Sequence, residues 1–140
     1  MSVKRAIIKE ELVKITGDFI KAVILNQFIY WQERTNDIDK YIQQENERAE
    51  KAGTAKLELT HGWVCKSDEE IAEETMLGLS ACDIQIHIKK LIDMELLLEK
   101  YSPGKQKQYR VNFVKLYIKL QDLNYRLEWH QLYQEADKYI

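Results

Sequence analysis

The chain has one proline, Pro103, and five glycines in 140 residues. It therefore lacks the frequent breaks that a β-sandwich or barrel needs between short strands, and long helices are expected. Two cysteines, Cys65 and Cys82, are too few for a disulfide framework. No apolar run approaches the roughly 20 residues of a membrane span. The opening "MSVKRAIIKEELVKITGDF" carries charge throughout and lacks the apolar core of a secretion signal. These absences point to a cytoplasmic protein with no membrane association. A large excess of either charge is missing too. The formal net charge of −2 confines any nucleic-acid surface to a local patch.

Catalytic signatures are also lacking. There is no Gly-rich phosphate loop, no G-x-S-x-G and no H-E-x-x-H. His61, His87 and His130 are scattered, so no enzyme is expected and no cofactor. His61, Cys65, Cys82 and His87 form a two-Cys, two-His set, but His-x3-Cys and Cys-x4-His do not match zinc-finger spacing. No metal is expected.

What is present is a hydrophobic share of 45% beside 31% charged residues, a globular balance. The length suits one domain, or one domain with a helical extension. Charge is uneven along it. Lys66 to Glu74 sets one lysine against five acids, whereas Glu99 to Arg110 sets Lys100, Lys105, Lys107 and Arg110 against Glu99. An acidic side and a basic edge follow.

Periodicity predicts a first helix over about Val3–Val13, ending at "TGD". Thr16 or Asp18 can cap the next, "DFIKAVILNQFIYWQERT", whose apolar density marks a central buried helix carrying Phe19, Val23, Ile24, Phe28 and Trp31. The polar stretch to Gly53 continues or restarts that helix. "LTHGWVCKS" reads as a short strand that buries Cys65. Ser67 with Glu70 is a capping box for a helix whose inner side is Ile71, Ala72, Thr75 and Met76.

Gly78 supplies a turn, and Ser80 caps the helix "ACDIQIHIKKLIDME" with a core stripe at Ile84, Ile88 and Leu91. "LLLEKY" and "QYRVNF" are strands around the turn "SPGKQK", and Tyr101 is expected to face Tyr109 across them. From Val114 to Ile140 a helix carries Leu116, Leu120, Leu123 and Leu127, extended by Trp129, Leu132, Tyr133 and Tyr139. Docking on the first helix and pairing with a second copy are both open. The fold class is mostly α with a small β-hairpin: a winged helix-turn-helix over residues 1–113 with N-terminal helices, and a C-terminal helical extension over 114–140.

"TGDFIKAVILNQFIYWQERTNDIDKYIQQE", "LTHGWVCKSDEEIAEETMLGLS" and "QYRVNF" resemble winged-helix proteins of phages and conjugative elements of Gram-positive bacteria. Those proteins are similar to the N-terminal domain of DnaD-type replication-initiation proteins. The resemblance covers roughly Ala6 to Phe113 and implies a DNA-associated role in mobile-element replication or regulation, without catalysis. Such relatives often carry basic residues after the helix-capping Ser and a longer wing with an aromatic. Here Ala81, Cys82 and the short "SPGKQK" stand in those places.

If Ile84, Ile88 and Leu91 face inward, the helix presents Ala81, Cys82, Gln85, Ile86, Lys89 and either Lys90 or Asp93 outward. Gln85 suits bidentate bonding to adenine, and Ala81 or Ile86 suits a thymine methyl. Ser80 and the first helix amides suit a phosphate. Lys105, Gln106 and Lys107 on the wing, with Lys100 and Arg110 at its base, complete a duplex-DNA face. About four cation–phosphate contacts predict a salt slope near −3.6 per copy, which a homodimer doubles. The alternative partner is another protein of a replication or regulatory complex, met through the small apolar patch of Ala81, Cys82 and Ile86.

Overall fold

The computed structural model describes residues 3–125. They run α1 (Glu10–Thr16), α2 (Phe19–Ala52), β1 (Val64–Cys65), α3 (Asp68–Thr75), α4 (Ala81–Asp93), β2 (Leu97–Lys100), β3 (Gln108–Val111) and α5 (Phe113–Asp122). The described chain is thus mostly helical with a small antiparallel sheet. None of its helices is long and apolar enough to cross a membrane.

The first helix starts later than its pattern predicts. Residues 3–9 form no helix, Ile7 and Ile8 are exposed, and the extended Lys9 precedes Glu10 without a side-chain cap. Adjacent β-branched residues without a capping group do little to nucleate a helix. α1 stops at Gly17, whose φ of 93° is left-handed.

Asp18 caps α2 by accepting from the Lys21 amide at 2.7 Å. Neither Gly nor Pro occurs again before Gly53, so the helix continues rather than restarts, as one helix of 34 residues, about 51 Å long. Its first half is the centre of the fold. Ala22, Ile24, Leu25 and Phe28 are fully buried, and α1, α3, α4, β1 and β3 all touch α2. Phe19, expected on the buried face, is exposed instead because the helix begins there, at the edge of the core.

Beyond Thr35 the helix leaves the core, and the chain returns along it as an extended segment. Asn46 fastens that return at both ends of its amide: Nδ2 donates to the Leu57 carbonyl at 2.9 Å and Oδ1 accepts from the Leu57 amide at 2.7 Å. Asp39 accepts from the Thr60 amide at 2.7 Å.

The short strand before α3 joins the hairpin, so the sheet has three strands in the order β1-β3-β2. Tyr109 lies opposite both Val64 and Glu99. Alternation turns Val64, Tyr109, Val111 and Leu97 inward, leaving Cys65 exposed where burial was expected. The expected Tyr101–Tyr109 pair does not form. Tyr101 lies past the end of β2 and is 66% exposed, while Tyr109 packs on Phe28 with ring centroids 5.2 Å apart.

The capping box at Ser67 and Glu70 forms in both directions. Met76, expected inside, instead ends α3 in a left-handed conformation (φ 53°) with its side chain exposed. Gly78 (φ 73°) completes the turn, and Ser80 accepts from the Asp83 amide at 3.2 Å to open α4. The stripe Ile84, Ile88 and Leu91 is fully buried, as its spacing requires.

Leu116 and Leu120 of α5 join the same core as Leu12 and Phe28. The packed unit therefore continues past residue 113. A left-handed Asn124 (φ 67°) follows α5, and the Tyr125 amide donates back to the Leu120 carbonyl at 2.9 Å. The expected helix thus breaks after Asp122 and leaves Leu123 exposed. Leu127, Trp129, Leu132, Tyr133 and Tyr139 lie outside the described residues.

Candidate functional site

α4 is held by its apolar stripe against α2, α3 and β2, which leaves one long side in solvent. Ile86, Lys89 and Lys90 are exposed there, as is Cys82; Ala81 is half-buried. Ser80 spends its hydroxyl oxygen on the cap. Gln85 is drawn sideways rather than outward. Oriented with its nitrogen toward α3, its amide donates to Asp68 Oδ1 and Oδ2 at 2.8 and 3.0 Å. Its other end faces the Tyr109 hydroxyl, and burial, with the Asp68 and Glu99 carboxylates, pushes that phenol up to about 12. Tyr109 is thus a proton donor across ordinary pH. Burial first, then Glu69, raises the Asp68 carboxyl, with Lys107 acting in the opposite direction.

Strand alternation divides the basic hairpin residues between two surfaces. Lys107 belongs to the α3–α4 side, near Asp68 and within 4.0 Å of Glu99. Arg110 and Lys100 point to the outer face of the sheet. There the Arg110 guanidinium sits 4.4 Å from the Trp63 ring centroid and donates to the His61 carbonyl at 3.0 Å. Lys100 Nζ lies 5.6 Å from the same ring. Gln106 accepts from Cys65 Sγ at 3.2 Å, also on the outer side, and Lys105 lies exposed beside the turn. Of the hairpin cations, Lys107 is therefore the one turned toward the start of α3.

The outer face borders a cleft of about 520 Å³ that runs between the sheet, the segment before β1 and the middle of α2. Trp31, Thr35 and Ile38 enter it from α2, and Trp63, Lys100 and Lys105 from the sheet side. Lys66 Nζ covers the Trp31 ring at 3.8 Å and pairs with Glu74 at 3.2 Å and Glu70 at 3.7 Å. Trp31 Nε1 donates to Glu74 at 2.6 Å, which fixes the indole.

Sequence reasoning did not find this cleft. Its residues are spread from Trp31 to Gln108, and a lone tryptophan before a two-residue strand gives no sign of which cations will stack on it. Among the described residues no three His, Cys, Asp or Glu side chains cluster as a metal site. No family model, curated protein or solved structure matches this chain.

Proposed function

We propose that the chain is a winged helix-turn-helix protein that binds duplex DNA, with α3 and α4 as the helix-turn-helix and the β2–β3 hairpin as the wing. The observation that carries this reading is the solvent-facing side of α4. Ile86, Lys89 and Lys90 lie open along it, and Lys107 of the hairpin lies near Asp68, the α3 residue that holds Gln85 of the same helix. A helix of this diameter fits the major groove, and lysines spaced along it suit the flanking phosphates. Gln85 is held by Asp68, so base reading rests on Ile86 and on groove shape, and sequence preference is weak. One copy offers few cations, which favours a homodimer as the working form. The resemblance of its sequence segments to winged-helix proteins of phages and conjugative elements supports a role in a replication or regulatory module, in the cytoplasm.

A second reading has its own support. Cys82 and Ile86 form an exposed apolar start to α4, and the Asp68 carboxylate beside Gln85 repels phosphate. Both features suit a protein partner from a replication complex.

Titration with random-sequence duplex at two salt concentrations separates the readings. A DNA face predicts steep weakening with salt, and a loss of about tenfold or more in a Lys89→Glu, Lys107→Glu double variant. Affinity indifferent to both salt and charge reversal assigns the face to a protein.

A further inference from the structure

The cleft on the outer side of the sheet lies across β3 from the α4 face. Its volume, about 520 Å³, falls in the range of small-ligand sites rather than of a water or an ion. Trp31 and Trp63 give it flat apolar walls from two separate elements. Both rings are held in place: Trp31 by the Glu74 carboxylate and the overlying Lys66, and Trp63 by Arg110. Lys66 is already neutralised by two glutamates. Lys100 and Lys105 on the rim are engaged in no ion pair among the described residues, and Glu58 is the one acid in the lining. The Ser102 hydroxyl and the Gln108 amide add groups that both donate and accept.

Rigid aromatic walls, a cationic rim and a few amide or hydroxyl groups suit a planar heterocycle carrying a negative charge. We infer that the cleft binds a nucleotide unit, its base against the Trp63 indole and its phosphate between Lys100 and Lys105. The unit comes either from an unpaired stretch of a DNA strand or from a free nucleotide. The inference takes nucleic acid as the partner from the reading above but places it on the opposite side of the sheet, so the two stand or fall on different variants.

The test uses the full chain, a short labelled oligothymidylate, the corresponding blunt duplex and thymidine monophosphate. Binding is followed by anisotropy and by the indole NH resonance of Trp63. Oligothymidylate is expected to shift that resonance. Lys100→Gln with Lys105→Gln should weaken its binding about tenfold or more, as should Trp63→Leu, while Trp63→Phe keeps a stacking surface and largely restores it. Lys14→Gln with Lys119→Gln, on α1 and α5 and in neither the cleft nor the α4 face, should leave it unchanged. A matching shift with thymidine monophosphate identifies a free-nucleotide site; a shift with the oligonucleotide alone identifies a strand. The inference is overturned if neither probe moves the resonance, if the cleft variants bind like the parent, or if polyglutamate displaces the oligonucleotide equally well. Failure of duplex binding in the Lys89 and Lys107 variant series bears on α4 alone.

Discussion

Gln32 shows how much a single side chain decides in this protein. It is 1% exposed, and its Oε1 accepts from the Val111 amide at 2.7 Å, so the central helix satisfies the backbone where β3 ends. Its Nε2 is buried without a partner among the described residues. Gln32→Leu removes that orphan but strands the Val111 amide, for a net loss of about 1–3 kcal/mol in chemical denaturation. Unchanged stability would mean that Val111 finds another acceptor. His87 is a second such residue. Its Nδ1 is buried without a partner among the described residues, and burial, then Lys21 and Lys90, lowers its pKa from 6.5 against the pull of Asp18 and Asp83. A depressed folded pKa means that the unfolded chain takes up the proton first. Stability is therefore full above pH 6.5 and falls as pH drops through the lower folded value. Denaturation curves across that window should slope in the parent and flatten in His87→Gln. Neither Gln nor His announces such a role in the sequence, because each depends on what packs above it.

At the scale of elements, local chemistry was largely readable. Ser67, Ser80, Gly53 and Gly78 mark helix ends and a turn through capping and left-handed geometry, and the structure uses them so. Ends made by residues with ordinary side chains were not readable. Met76, Glu95 and Asn124 all take positive φ at helix ends. At the end of α4, the Leu96 amide donates to the Leu91 carbonyl at 3.1 Å across Glu95, whose φ is 63°. Glu95 also pairs with Lys115 at 3.3 Å, but both side chains are exposed and the pair contributes little. Glu95→Gly should therefore stabilise the protein by roughly 0.5–1 kcal/mol, read as a rise in Tm. A fall would show that the pair outweighs the backbone strain.

The whole molecule is organised by one helix with two environments. Up to Thr35, α2 is enclosed by the core; beyond it, among the described residues, the helix is covered only by the returning segment around Leu57 and Thr60. Hydrogen exchange should follow that division. Amides from Ala22 to Gln32 are expected to open only with global unfolding, and those from Gln43 to Ala52 by local fraying at far lower free energy. Uniform protection along all 34 residues would show that a further surface covers the outer half.

By itself, the sequence determined the helices, their polar starts and the stripe at Ile84, Ile88 and Leu91, because these depend on neighbours within one or two turns. It also determined that a basic hairpin follows α4. Only the tertiary structure decided which way that charge points. Side chains alternate across a strand, so pairing β1 to β3 and packing Tyr109 on Phe28 turned Arg110 and Lys100 onto Trp63 and left Lys107 beside α3. One residue of register separates those two surfaces, and the register is set by contacts between segments far apart in the chain.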